Sequence, residues 1–525
     1  MTKRELLLGL TAAFCLTIGA QNPILRGCNP DPSICRSGED YYICTSSFTW
    51  FPALPIYHSK DLIHWELTGH AINNPEYLEF DGIKDKDGVW APTIREHKGK
   101  WYIFSNVSYG GNFFITADDV NGPWSEPKFI KEAPGVDPSI FWDDDDTPYM
   151  LANVWGLDKE KYGSNIAIWM QQIDLESGKL LGERHILTTG HASNAKNVEG
   201  ARLYKIKGSY VLLIAEGGTD ENHAVTMHTS KELFGPYKPL IVNPVLTHRH
   251  LGFDFPIQSV GHGDLVETQN GEWYSVALGK RMIDGKYAFT RETFICPVSL
   301  EHGQFIFNKG KGMLTLDIPT PNLPPFEAKQ FADTDFFDSE KLPDCWYTER
   351  IAHSNFYDLN GENLELSLKP ETIDSLVCPA LLMRKVPSNS YLAETSFSFA
   401  TKKEGEKAGI VLFRNNTSYV AVMKTKDGIE IIENGEVTST KEYNDKDLCI
   451  RIETDGIEAS ISCGKTQDSL ENIGKVSLKP LTEFGKINRF NGVGAGIYAT
   501  SSGQKSKEKA TFSYFTLKDK ASYKD

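Results

Sequence analysis

One phrase recurs five times in the first three-fifths of the chain, and it limits the possible folds more than any other feature. It reads "DPSICRSGEDYYICTS" from Asp31, "WAPTIREHKGKWYIFSN" from Trp90 and "DPSIFWDDDDTPYMLAN" from Asp137. It returns as "EGARLYKIKGSYVLLIAEGG" from Glu199 and "HGDLVETQNGEWYSVALG" from His262. Each copy runs from a polar or aromatic residue through a small residue or proline and an apolar residue to a polar turn, then an aromatic strand. Each therefore predicts a β-hairpin. Further short strands lie between the copies, such as "IAIWMQQIDLE" and "HAVTMHTSKELFGPY", giving about four strands per unit. Helical periodicity is nearly absent after the first residues. A single Asp-Pro-Ser is ordinary turn chemistry. Five copies in order predict an all-β chain that opens with a five-bladed β-propeller over residues 21–316.

A Pro-rich stretch, "LDIPTPNLPPFEAKQ", ends this region, and residues 317–330 read as a linker. Residues 331–525 alternate strand patterns with Gly, Asn and Asp turns. They predict a β-sandwich of jelly-roll type, in a supporting role or as a sugar-binding module. The start, "MTKRELLLGLTAAFCLTIGAQ", has a basic head, a short apolar run and Gly19-Ala20. It predicts a signal peptide over residues 1–20, export to the periplasm or medium, and no membrane span once it is removed. A net charge of -15 argues against nucleic acid as a partner. The nine cysteines include no zinc spacing, and Cys28, Cys35 and Cys44 lie close enough in sequence for a disulfide whose pairing stays open.

The innermost strand of each blade lines a propeller's channel, so equivalent positions converge there. Asp31, Trp90, Asp137, Glu199 and His262 are expected to face one another. Several acids in one pocket make a poor core, because buried like charges are costly. They suit glycoside hydrolysis, in which one carboxyl donates a proton to the leaving oxygen and another activates water or attacks the sugar. Acids on separate blades leave room for a water, which favours inversion. A carbohydrate-binding propeller without catalysis is the reading of a different class, and the retention of all three acids speaks against it.

These residues are similar to those of glycoside hydrolase family 43. The likeness rests on "NPDPSI" (29–34), "WAPT" (90–93), "DPSIF" (137–141), "EGARLYK" (199–205), "AEGGT" (215–219), "NPVLTHRH" (243–250), "GHGDLV" (261–266) and "RETF" (291–294). It covers nearly all of the chain after the signal segment, including a C-terminal sandwich of the β-xylosidase type. The resemblance implies Asp31 as general base, Glu199 as general acid and Asp137 as the residue that tunes and orients the acid. It implies that Arg291 holds sugar hydroxyls and that Trp90 and Phe48 form the apolar wall, with core packing as the plainer role for Phe48 and a surface position as the plainer one for Arg291. His262 would hold a water network or a cation near the axis, or else be a satisfied structural histidine. No cofactor is required, although a structural calcium at the axis is compatible. The acid motif lacks the proline that other members often carry. The expected substrate is a pentose-containing oligosaccharide or polysaccharide. The expected activity is exo-acting release of xylose from β-1,4-xylo-oligosaccharides, with α-L-arabinofuranosidase as the alternative.

Overall fold

Five antiparallel sheets follow one another along the chain in the computed structural model, which describes residues 20–192, 195–482 and 490–521. The predicted signal segment up to residue 19 lies outside the described residues. The sheets open with Ser33–Ser37, Val89–His97, Ser139–Trp142, Glu199–Ile206 and Ile257–Glu267 as their first strands. Each first strand pairs with the next to form the predicted hairpin. The turns have a local cause: Lys98-Gly99 and Lys207-Gly208 both take two successive positive φ values, which sets a hairpin twist that matches its strands. The architecture is the expected five-bladed propeller followed by a β-sandwich. Helix is confined to the four-residue Lys159–Tyr162 and two 3-10 turns among the described residues.

The sandwich consists of two sheets over one apolar core that includes Leu382, Ile410, Ile450, Ile497 and Phe512. One sheet centres on Lys509–Asp519 and Tyr391–Ser398. The other runs through Ala380–Lys385, Gly494–Thr500 and Lys407–Asn415, and its edge strand comes from the propeller region. Trp50–Phe51 pairs with Tyr347–Glu349, with Phe51 opposite Thr348 and Trp50 opposite Glu349. The two regions thus share one sheet.

The Pro-rich stretch is fastened to the first blade by three hydrogen bonds. The amides of Phe326 and Lys329 donate to Asp61 Oδ2 and Glu66 Oε2 at 3.0 and 2.8 Å. The Gln330 amide donates to the Trp65 carbonyl at 3.0 Å. At the other end, Leu25 bridges Thr293 of the fifth blade, so the N-terminal segment helps close the ring. The eight described cysteines are all free, Cys28, Cys35 and Cys44 among them.

Candidate active site

The backbone locates the repeat by a residue in the left-handed region at the mouth of every blade. These are Asp31 (φ 55°), Ala91 (32°), Asp137 (55°), Gly200 (60°) and His262 (48°). Aligned on them, the blades read DPSI, APTI, DPSI, GARL and HGDL. This corrects the sequence register in two blades: Trp90 and Glu199 precede the shared position by one residue, and Ala91 and Gly200 occupy it. A left-handed residue is strained for most side chains, least so for Gly and Asp. Its repetition at all five mouths is what turns each strand end into the channel.

Two residues further on, Ser33, Thr93, Ser139, Arg202 and Asp264 form a buried ring below the mouth. Asp264 joins four blades through this layer. It accepts from Ser33 Oγ at 2.7 Å and from both Arg95 terminal nitrogens at 2.9 Å, and it also pairs with the Tyr204 hydroxyl. Arg202 of the fourth blade reaches across to the Pro92 carbonyl of the second at 3.0 Å, and Thr93 of the second donates to the Pro138 carbonyl of the third at 2.8 Å.

Above that ring Asp31, Asp137, Glu199, His262 and Arg291 converge. Asp31 is buried, accepts from Arg291 Nη1 at 2.7 Å and receives the Ser46 hydroxyl at 2.6 Å. Burial pushes its pKa up, but the Arg291 charge, His262 and the Ser46 bond together bring it below the usual carboxylate range. Asp137 is equally buried and moves the opposite way. Burial and the charge of Asp31 raise it, outweighing Arg202 and the Gly200 amide. Glu199, half-buried at the mouth, is raised well above the usual carboxylate range, first by desolvation and then by Asp137 and Asp31.

His262 Nδ1 lies 4.0 Å from Asp31 and 3.9 Å from Asp137, while its buried Nε2 has no hydrogen-bond partner. Burial depresses its pKa to about 4, so the ring is neutral near pH 7. His223, whose ring packs where a Cβ on Gly261 would sit, is held neutral by the same cause. Arg291 is no surface residue. Its guanidinium stacks over Phe48 at 5.6 Å and Phe490 at 5.7 Å, and its Nε and Nη2 donate to the Phe490 carbonyl at 3.3 and 2.9 Å. Phe48 and Trp90 pack in one cluster with Trp50 and Tyr347. The Trp90 indole donates to the Lys86 carbonyl at 3.3 Å.

Sequence reasoning missed Ser46, which connects Asp31 to the Ala91 amide of the next blade at 2.7 Å. It missed Thr219, 3.5 Å from Arg291, and Phe490, through which the sandwich supplies part of the site. It also missed Trp155, half exposed at the same end of its blade as Asp137. The pattern "TSSF" gave no signal for Ser46, and nothing near residue 490 marks it as a neighbour of residue 291. A carboxylate paired with an arginine and a carboxyl whose pKa is raised, meeting at one channel mouth, can together remove a proton and supply one. Among the described residues, one group of three His, Cys, Asp or Glu donors lies close enough together to share an ion. It is Glu79, Asp81 and His353, exposed on the surface and separate from the channel.

Known proteins share this arrangement. The family model described as "Glycosyl hydrolases family 43" matches residues 20–305, and that of the "Beta xylosidase C-terminal Concanavalin A-like domain" matches 334–518. A protein of Butyrivibrio fibrisolvens named xylosidase/arabinosidase is 38% identical over 95% of this chain and 99% of its own. A non-reducing end alpha-L-arabinofuranosidase of Bacteroides ovatus is 32% identical over 95% and 94%. The crystal structure of a xylan beta-1,4-xylosidase from Bacillus halodurans superposes with a TM-score of 0.88 at 29% identity, covering 95% of this chain and 100% of its own.

Proposed function

We propose that this chain, which belongs to glycosyl hydrolases family 43, is an exo-acting, inverting glycosidase that releases xylose from the non-reducing ends of β-1,4-xylo-oligosaccharides. The observation that carries the reading is geometric: Asp31, held by Arg291 at 2.7 Å, and Asp137 both flank His262 at the channel mouth beside Glu199, whose pKa burial and the two aspartates raise. Asp31, ionised beside Arg291, takes a proton from water as that water attacks the anomeric carbon. The bond from this carbon to the leaving oxygen breaks, and Glu199 gives its proton to that oxygen. The pentose leaves with inverted configuration. Asp31 then returns its proton to solvent and Glu199 regains one. Asp137, as it ionises, adds its charge to that of Asp31 in holding Glu199 protonated, and the Gly200 amide beside it places it next to the acid's backbone. Arg291 offers hydrogen bonds to sugar hydroxyls against the apolar faces of Phe48 and Trp90.

A second reading keeps this machinery and changes the sugar to an α-L-arabinofuranoside, since the Bacteroides ovatus relative bears that activity in its name. Pentose discrimination in such a pocket involves only a few kcal/mol. A calcium near the axis would take His262 Nε2, which is buried without a partner, as one donor, with water supplying most of the six to eight ligands it favours. Such an ion would supply positive charge near the acids. The basic, apolar start of the chain supports export to the periplasm or medium.

Aryl β-xyloside and aryl α-L-arabinofuranoside, with the first anomer followed by NMR, test the proposal. Hydrolysis with inversion is expected, faster on the xyloside. Retention, or no turnover of either compound by folded protein, would overturn it.

A further inference from the structure

The sandwich holds two fully buried ionisable residues, Glu349 and Arg350, that the reaction does not use. They sit where the propeller strand Trp50–Phe51 joins the sandwich sheet. Thr49 lies one residue after Phe48 and one before that strand. Its hydroxyl donates to Glu349 Oε1 at 2.8 Å, and its carbonyl accepts the Arg350 amide at 2.9 Å. On its other side Arg350 donates twice to the Ile83 carbonyl, at 3.2 and 2.7 Å, and pairs with Asp85. Asp85 in turn accepts the Asn416 amide from the sandwich at 2.6 Å.

Both contacts lead to the pocket wall. The segment anchored at Ile83 and Asp85 continues to Lys86, whose carbonyl holds the Trp90 indole. It then reaches Gly88, where a Cβ would lie 2.3 Å from the Phe48 carbonyl oxygen, so no larger residue fits. Phe48 and Val89 exchange amide bonds at 3.0 Å in both directions. The two wall aromatics therefore belong to one closed circuit: Phe48, Thr49, the Glu349-Arg350 pair, Asp85, Lys86, Val89 and back to Phe48. Thr49 and Asp85 are buried like the pair they contact.

We propose that Glu349 and Arg350 are positioning residues, which act through Thr49 and Asp85 to set the place of Phe48 and Trp90 in the sugar pocket. The inference rests on the glycosidase reading for its kinetic consequence, while its geometry stands apart from it. Buried ion pairs add little net stability against an apolar replacement, and their best-attested use is to fix register. Simple adhesion between domains is the competing account. Adhesion lowers melting temperature and the active fraction, whereas positioning changes KM in protein that remains folded.

The test compares full-length Thr49→Val, which replaces the hydroxyl with a methyl, with Thr49→Ser, which keeps it. Losing one buried hydrogen bond that holds the wall raises KM for an aryl pentoside by about five- to tenfold. The valine variant should show this rise with kcat and both pH limbs unchanged, and the serine variant should match wild type. Glu349→Gln, which retains a carbonyl acceptor for Thr49, should also match it. Wild-type KM in the valine variant, or equal damage in valine and serine variants, overturns the inference. A second readout needs no activity: the 19F resonance of Trp90 in 5-fluorotryptophan-labelled protein, assigned by its loss in Trp90→Phe. It should shift in Thr49→Val and stay in place in Thr49→Ser. A resonance that moves as expected in a protein inactive on every pentoside sinks the glycosidase reading and keeps the positioning role. A resonance that stays fixed in both variants sinks the positioning role.

Discussion

Asp31 and Asp137 begin the same four letters, DPSI, with the same φ of 55° and nearly the same burial, yet their protons behave in opposite ways. The left-handed turn and the following proline give each carboxyl the same route into the channel. What separates them arrives from elsewhere in the chain. Asp31 meets Arg291, 260 residues away, and the Ser46 hydroxyl. Asp137 faces the charge of Asp31 and has a more distant cation, Arg202, as compensation. Local sequence sets the presentation of a carboxylate, and long-range packing sets its charge.

The largest effect separating the two should be on rate. Asp31→Asn removes the base, and kcat/KM is expected to fall by about 10²–10⁴. Asp137→Asn keeps base and acid, so its loss should be smaller. Removing a like charge also lowers the pKa of Glu199, so the alkaline limb of the pH profile should move towards acid in this variant. An alkaline limb that stays fixed would remove Asp137 from the tuning role.

Glu199→Ala should come next. It abolishes turnover of unactivated oligosaccharides, spares much of the activity on aryl pentosides with good leaving groups, and erases the alkaline limb, because no proton is left to lose there. Normal turnover of xylobiose by this variant would refute the acid assignment.

Stability should then split the two aspartates by sign. Asp31 has a lowered pKa in the folded state, so it stabilises the fold above the ordinary carboxylate pKa and stops doing so as pH falls through its folded value. Asp31→Asn also leaves Arg291 buried without its carboxylate, a cost of about 3–5 kcal/mol, and its melting temperature should fall at pH 7. Asp137 has a raised pKa, so stability is lost as pH rises through that value. Asp137→Asn should therefore melt higher than wild type at pH 8, and the gain should vanish by pH 4. Melts that shift in the same direction for both variants would contradict the charge states assigned here.

Much of this was readable in the sequence because strand patterns and Gly turns are local. Five hairpins, the sandwich and the three acids all follow from alternation and recurrence. The exact register did not follow, since Ala91 bears no mark of its unusual φ, and conspicuous Trp90 and Glu199 drew the alignment one residue early. Arg291 came from the family resemblance alone, which gave no sign of its partner Phe490 across 199 residues. Trp50–Phe51 lies within the range predicted for the propeller, and only its pairing with Tyr347–Glu349 assigns it to the other sheet. The Pro-rich stretch looks free because two of its three fastenings are backbone amides, donated to Asp61 and Glu66, which composition does not reveal.

That shared strand also has a consequence in time. Residue 50 leaves the ribosome about 300 residues before its partner, which at about 5–20 residues per second is a wait of about 15–60 s. Until then the edge next to Phe48 has no strand to pair with, and Arg291 lacks the carbonyl of Phe490. A nascent propeller with all five blades translated would still be a catalyst with an unfinished wall. Synthesis of the C-terminal third therefore completes the wall, and a chain truncated before it should carry every catalytic acid and work poorly.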